Sequence, residues 1–92
     1  MIPKSIKVGR RRYNVVLKNR GWKSHTGEIS AFHGELRVST LKRTTKQKMN
    51  TFWHELTHAI LMDMNHPLWC AETFVQKFAT RLQNAVDSAR FK

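Results

Sequence analysis

The sequence predicts an α+β fold, in which a short antiparallel sheet of three to four strands is followed by two packed helices. Residues 5–39 contain short runs of alternating apolar and polar residues, which are typical of half-buried strands. From about residue 45 the apolar residues recur at helical spacing, and Pro67 divides this helical region in two. The chain has 92 residues, so residues 1–92 are expected to form one small domain.

Four strands are predicted in the N-terminal half of the chain. They are Ser5 to Val8, Tyr13 to Leu17, Glu28 to Phe32 and Glu35 to Ser39. Gly9 and the arginines after it are expected to form the first turn. The dipeptide His33-Gly34 is typical of a hairpin turn, because glycine readily adopts a positive φ. Residues 19–27 are rich in turn formers and predict a loop.

Thr44 predicts the start of the first helix, since Gln47 follows it at the spacing of a capping box. This helix is expected to span about residues 45–64 and to end before Pro67, because proline disfavours helical geometry in the residue before it. Its predicted core-facing stripe consists of Met49, Phe52, Trp53, Leu56 and Ile60. A second helix is predicted over about residues 69–89. Its predicted buried face consists of Val75, Phe78, Ala79, Leu82 and Val86.

The net charge of the chain indicates an anionic partner. Seventeen Lys and Arg residues against six Asp and Glu residues give a formal charge of +11, and the resulting field attracts polyanions. Nucleic acid is therefore one candidate partner. The residues proposed to contact it are Arg10, Arg11, Arg12, Lys77 and Arg81. Alternatively, the charge serves solubility or steers an acidic protein substrate toward the chain.

The N-terminus lacks the apolar stretch of a secretory signal, and no apolar run is long enough to span a bilayer. These absences predict a soluble cytoplasmic protein that has no membrane partner. The single cysteine, Cys70, is interpreted as a core filler, because a free cysteine usually behaves as a small hydrophobe. Trp22, in the predicted loop, is expected to pack on the sheet rather than to stack on a nucleic-acid base.

The run from His54 to His58 reads His-Glu-Leu-Thr-His and matches the H-E-x-x-H pattern of zinc hydrolases. Residues four apart in a helix share one face, so both imidazoles can bind one Zn²⁺ ion. Glu55 then lies beside the metal and can act as the general base that takes a proton from the attacking water. The alternative interpretation is a pair of exposed helical histidines with a glutamate between them.

A catalytic zinc site needs a third protein ligand, and Glu72 is the predicted one. It lies on the apolar stripe of the second helix, where a carboxylate without a partner would be costly to bury. Two antiparallel helices would also bring Glu72 level with His58. Two alternatives remain: Glu72 is a first-turn glutamate favoured by the helix dipole, or His66 is the third ligand.

The segments His54 to Leu61 and Glu72 to Ala79 resemble the ImmA/IrrE-type metallopeptidases, small gluzincins that are frequent in bacteria and phages. The resemblance covers roughly residues 26–83. It implies a minimal gluzincin-like zincin fold, one Zn²⁺ ion as cofactor, and Glu72 as the third zinc ligand. It also implies that Glu35 to Ser39 is an edge strand, which can hold an extended peptide substrate by strand addition.

The predicted function is therefore zinc-dependent hydrolysis of peptide bonds, with a protein or peptide as the substrate. The alternative is a basic nucleic-acid-binding or protein-binding module, such as a phage effector, that retains a structural zinc site. A peptidase also needs a group that stabilises the oxyanion of the tetrahedral intermediate. The candidate donors are Tyr13, His25, His33 and His66.

Overall fold

The computed structural model describes residues 2–22 and 25–91 and confirms the α+β fold. Its elements are β1 (Ser5–Val8), β2 (Arg11–Lys18), β3 (Gly27–Ser30), β4 (Glu35–Ser39), α1 (Thr45–Asp63) and α2 (Glu72–Asp87). Four strands are thus followed by two helices, in the predicted order. Within the described ranges, no helix combines the length and the apolar character that crossing a membrane requires.

The four strands form one mixed sheet in the order β1-β2-β4-β3. The pairs β1–β2 and β3–β4 are antiparallel, but β2 and β4 run parallel, so the prediction of an antiparallel sheet is wrong for this pair. As a consequence β4 is an inner strand. The expectation that Glu35–Ser39 is an edge strand is therefore also wrong, and the edges of this sheet are β1 and β3.

The burial of the strands explains this order. Leu36 and Val38 in β4 are fully buried, whereas Ile29, the large apolar residue of β3, is only partly buried. An inner strand is covered more completely than an edge strand, so the more apolar β4 takes the inner position. A tight turn cannot join two parallel strands. The chain between the parallel strands β2 and β4 therefore includes a long link and the strand β3.

The fold has three layers, which are the sheet, α1 and α2. Helix α1 packs against β1, β3 and β4, whereas α2, among the described residues, packs on α1 and on no strand. The core lies between α1 and the sheet. It consists of Val8, Tyr13, Leu36, Val38, Phe52, Leu56 and Ala59. Helix α1 is thus covered by two neighbours and α2 by one.

Helix α1 begins where the sequence predicts it. The Thr44 side chain accepts a hydrogen bond from the backbone N–H of Gln47, and the Gln47 side chain accepts one from the backbone N–H of Thr44. This reciprocal pair is a capping box, and it satisfies two backbone donors that the helix itself cannot satisfy. The helix ends at Asp63, with Met64 as its C-cap.

Several residues that were predicted to be buried are exposed. They are Ile60, Cys70, Phe78 and Val86. Helix α2 also begins at Glu72 rather than at Trp69, and it buries only Val75, Ala79 and Gln83. For α2 the reason is that, among the described elements, α1 alone covers it. Periodicity indicates which residues share a helix face, but not how much of that face a neighbour covers.

Two glycines occupy turns with the positive φ that favours this residue. Gly9 (φ 60°) follows β1, and Gly34 (φ 64°) precedes β4. Strand β3 ends at Ser30, before its predicted end at Phe32. Phe32 lies instead in the turn between β3 and β4, with 93% of its surface exposed.

Candidate metal centre

Two histidine side chains of α1 approach the same carboxylate oxygen. Nε2 of His58 lies 2.5 Å from Oε1 of Glu72, and Nε2 of His54 lies 3.2 Å from that oxygen. One potential ligand atom from each residue lies within 4.8 Å of the others. The structure therefore brings together the three residues that were predicted as ligands, and this group could hold a metal ion.

Helix α1 places the two histidines side by side, because residues four apart lie one turn apart on the same face. Their ring centroids are 4.9 Å apart. The side chains of His54 and His58 are only 16% and 11% exposed, respectively. The packing around them therefore restricts the positions of their Nε2 atoms.

Glu72 is the first residue of α2, and the turn between the helices brings it opposite His58. Its side chain is 71% exposed, so the expectation of a buried carboxylate on the apolar stripe is wrong. The residue is nevertheless in the position that a third ligand requires. Its exposure lets the carboxylate change rotamer without disturbing the core.

The other ring nitrogen of each histidine is held by a hydrogen bond. Nδ1 of His58 lies 2.6 Å from the backbone carbonyl oxygen of Trp69, which only accepts, so this Nδ1 carries a proton. Nδ1 of His54 donates to Oε1 of Gln76 over 2.7 Å, and the Gln76 amide nitrogen donates in turn to Asn50. A neutral imidazole that is protonated at Nδ1 presents its Nε2 lone pair to a metal.

The chemistry of this donor set fits a divalent cation. The Nε2 lone pairs of His54 and His58 would repel the carboxylate of Glu72, and a cation between the three groups attracts all of them. Ligand atoms about 2.1 Å from a tetrahedral Zn²⁺ lie about 3.4 Å from one another. The 2.5 Å separation between His58 and Glu72 would therefore widen, which the exposed Glu72 side chain permits.

Glu55 lies on the same helix and is buried, with 8% of its surface exposed. Burial is the main cause that raises the pKa of Glu55 to about 7; His58 opposes this shift, while Glu72 and Glu28 add to it. A general base works best when its pKa is close to the working pH. Within the described residues, the Glu55 carboxylate accepts no hydrogen bond, so it is available to a water molecule.

An open cleft of about 440 Å³ runs past these side chains. It is lined by His25, Thr26, Gly27, Arg43, Asn50, Thr51, His54, Glu55, His58, Glu72 and Gln76. Strand β3 contributes Gly27, and a Cβ atom there would lie 3.2 Å from Cγ of Glu55 and 2.5 Å from a methyl carbon of Thr51. A larger residue would displace one of them. Glycine at this position thus lets the edge of the sheet approach Glu55.

A chain of amide side chains behind His54 was not predicted from the sequence. Gln76 donates to Oδ1 of Asn50 over 2.9 Å, and Asn50 donates to Oε1 of the buried Gln83 over 2.7 Å. The sequence spacing of Gln76 and Asn50 could have indicated that they lie near the candidate ligands. Gln76 lies four residues after Glu72, and Asn50 lies four residues before His54, so each shares a helix face with a candidate ligand.

His66, the alternative third ligand, lies outside the group of candidate ligands. Its Nδ1 accepts a hydrogen bond from the backbone N–H of Leu68 over 3.0 Å. Its ring stacks on Phe74 with a centroid distance of 6.4 Å. These contacts give His66 a role in the turn between the helices, so Glu72 is the better candidate ligand.

Of the four residues predicted as oxyanion donors, His25 is the one that lines the cleft. Tyr13 is buried in the core, and His33 contacts Ser30 beside the β3–β4 turn. The ring of His25 stacks on Trp22, with the two centroids 5.6 Å apart. Trp22 thus packs next to the cleft.

The basic residues proposed to contact nucleic acid are all exposed. Arg10, Arg11 and Arg12 lie at the β1–β2 hairpin, where Arg11 donates to the carbonyl of Ala31 and Arg12 to the hydroxyl of Ser5. Lys77 and Arg81 lie on α2. The cleft contains none of these five basic residues.

Comparisons with protein-family models, curated proteins and solved structures give no match for this chain.

Proposed function

We propose that this chain is a zinc-dependent hydrolase of peptide bonds, a minimal gluzincin similar to the ImmA/IrrE-type metallopeptidases. One observation carries the proposal. Nε2 of His54 and Nε2 of His58 converge on the carboxylate of Glu72, in an open cleft that also contains the buried Glu55. Two imidazoles, one carboxylate and an open position are the ligand set of a catalytic zinc site.

His54, His58 and Glu72 would hold the ion, and the hydrogen bonds at Nδ1 would orient the two imidazoles. Bound Zn²⁺ would supply Lewis acidity, which lowers the pKa of water to about 7 and polarises a carbonyl group. The Glu55 carboxylate takes a proton from the attacking water and then delivers it to the leaving amine. Its buried position beside the ligands supports this role.

The edge strand β3 supports a peptide as the substrate. β3 is an edge of the sheet, and its residue Gly27 lines the cleft beside Glu55. An extended peptide can add to such an edge through backbone hydrogen bonds, which hold its carbonyl groups in regular positions. β3 therefore takes the place of β4 as the strand that we propose holds the peptide.

The test is hydrolysis of a library of blocked peptides by the zinc-loaded chain, followed by mass spectrometry. Glu55→Gln should lower the rate by about 100-fold to 10,000-fold, because general base catalysis contributes that much. It should leave zinc binding intact, since Glu55 is not a proposed ligand. Glu35→Gln, which changes a glutamate that does not line the cleft, is the matched control and should keep full activity. Equal rates for the Glu55→Gln variant and the unmodified chain would contradict the proposal.

The exposed arginines at the β1–β2 hairpin support a second candidate, a basic nucleic-acid-binding module with a structural zinc site. Structural zinc sites usually have four protein ligands and no open cleft. This group has three candidate ligands, and they line an open cleft. The peptidase is therefore the better-supported candidate. If the chain binds nucleic acid, its affinity should fall steeply with salt and with the replacement of Arg10, Arg11 and Arg12.

A further inference from the structure

Arg43 brings a permanent positive charge into the cleft, and no other Lys or Arg among the described residues lines it. Arg43 directly precedes the capping box of α1. Its Nη2 donates to the backbone carbonyl of Gln47 over 3.1 Å and to Oγ1 of Thr51 over 2.9 Å. Thr51 is buried, so these bonds hold the guanidinium group in a defined place.

This guanidinium group lacks an anionic partner. In the part of the chain that the structure describes, the Arg and His nitrogens that lie within 4.0 Å of a carboxylate oxygen belong to Arg37, His25, His54 and His58, and none belongs to Arg43. Both hydrogen bonds of Arg43 come from Nη2, so Nη1 has no acceptor among the described residues. Nε also has no acceptor, but it is too buried for a ligand to reach. Buried donors are nearly always paired, and a guanidinium has five of them. Its unused donors and charge fit an anion that comes from outside the chain.

The position of Arg43 relative to Glu55 sets where such an anion would lie. Thr51, which accepts from Arg43, comes one helical turn before Glu55, about 6 Å along the axis of α1 at 1.5 Å per residue. An extended peptide rises about 3.3 Å per residue. For a peptide that runs along the axis of α1, a group bound at Arg43 would therefore lie about two residues from a peptide bond held beside Glu55.

We propose that Arg43 binds a carboxylate of the substrate, so that the cleft selects peptides with a carboxylate about two residues from the cleaved bond. This inference rests on the proposed peptide hydrolysis. A carboxylate suits the site because a guanidinium group binds it through charge-assisted and often bidentate hydrogen bonds. The net charge of +11 also attracts acidic substrates to the chain. The carboxylate comes from an acidic side chain or from the C-terminus of the peptide.

The test measures peptide binding rather than turnover and uses the zinc-loaded 92-residue chain with Glu55→Gln. The probes are acetyl-Ala-Ala-Glu-Ala-amide, its neutral partner acetyl-Ala-Ala-Gln-Ala-amide, and acetyl-Ala-Ala-Ala with a free or an amidated C-terminus. The Nε–Hε resonance of Arg43, assigned from its loss in Arg43→Gln, reports contact with the peptide at millimolar concentrations. Denaturation curves of each variant show whether the fold is intact.

A carboxylate peptide should bind about tenfold more tightly than its neutral partner, since one charge-assisted hydrogen bond contributes at least that factor. Arg43→Gln should remove the difference, and Arg43→Lys should keep part of it. Lys48→Gln, which removes one charge from α1 outside the cleft, should keep all of it. A preference for the glutamate peptide identifies a side-chain carboxylate, and a preference for the free acid identifies a terminal one.

Equal affinities within both peptide pairs, or no change at the Arg43 resonance, would overturn the proposal. A preference for carboxylate peptides that persists in a folded Arg43→Gln variant would also overturn the proposal. These results differ from a failure of the proposed function. A chain that prefers carboxylate peptides through Arg43 but hydrolyses none keeps the carboxylate-binding role of Arg43 and loses both the proposed hydrolysis and the spacing from a cleaved bond. A chain that hydrolyses acidic and neutral peptides equally keeps the hydrolysis and loses the role of Arg43.

Discussion

Helices α1 and α2 form two sides of the candidate metal centre, and they are built differently. Helix α1 lies between the sheet and α2, starts with a capping box, and contributes Glu55 and two candidate ligands, the half-buried His54 and the buried His58. Among the described elements, helix α2 packs on α1 alone. Its N-cap, Ala71, makes no side-chain hydrogen bond, and its first residue, Glu72, is an exposed candidate ligand. Packing therefore fixes one side of the site and leaves the other adjustable.

This difference teaches how a chain of 92 residues can support a metal centre with a small core. The fixed side sets the distance between the two imidazoles before any metal binds. The adjustable side can then move by the amount that coordination requires, because Glu72 does not contribute to the core. Metal binding is expected to stabilise the start of α2 more than it stabilises α1.

The largest effect is expected from removing a ligand on the fixed side. His58→Ala should weaken zinc binding by more than about 100-fold, because loss of a ligand exceeds the effect of losing its supporting partner. Glu72→Ala should weaken it less, since both imidazoles remain on α1. His66→Ala is the matched control and should bind zinc like the unmodified chain. Competition with a chromophoric chelator measures all three, and a larger loss in His66→Ala than in Glu72→Ala would reverse the assignment.

An intermediate effect is expected from the hydrogen bond that links the two sides. Gln76 on α2 accepts from Nδ1 of His54 on α1, and loss of such a partner typically costs about 10-fold to 100-fold in metal affinity. Gln76→Ala should therefore weaken zinc binding within that range and keep one bound ion. Lys77→Ala, at the next position of α2, should leave the affinity unchanged. An unchanged affinity in Gln76→Ala would show that His54 needs no support from α2.

The smallest effect is expected at the two helix starts. Thr44→Ala removes the capping box of α1 and should lower the free energy of unfolding by about 1 kcal/mol. Ala71 is the uncapped N-cap of α2, in an extended conformation with φ −81° and ψ 94°. Ala71→Ser should raise the free energy of unfolding by about 0.5–1 kcal/mol, since serine accepts a hydrogen bond at this position. Urea denaturation measures both, and a loss of stability in Ala71→Ser would contradict this view of α2.

Local patterns predicted those parts of the structure that depend on neighbouring residues. The capping box at Thr44 and the shared helix face of His54 and His58 follow from spacing alone, and the structure contains both. Of the two reasons for choosing Glu72, burial on the apolar stripe is wrong, because its carboxylate is exposed. The other reason, that the helix pair brings Glu72 level with His58, agrees with their 2.5 Å contact. What makes it a candidate ligand is the turn that brings the start of α2 opposite His58.

The features that the sequence does not predict depend on long-range packing. The alternation in Glu35–Ser39 indicates which side chains face the core, but it does not specify the neighbouring strand, so the inner position of β4 was not predicted. Ile60 and Phe78 fit helical stripes, yet both are exposed. Arg43 precedes α1 in a segment without periodicity, and only the folded chain brings it into the cleft.

The central claim is that one zinc ion binds between the fixed side of the site, which is α1, and the adjustable side, which is the start of α2. An anomalous difference map at the zinc edge, from crystals of the zinc-loaded chain, tests it most directly. The account predicts one ion about 2.0–2.2 Å from Nε2 of His54, Nε2 of His58 and a carboxylate oxygen of Glu72, with an open position facing the cleft. An ion bound elsewhere, or a fourth protein ligand that closes the site, would contradict it.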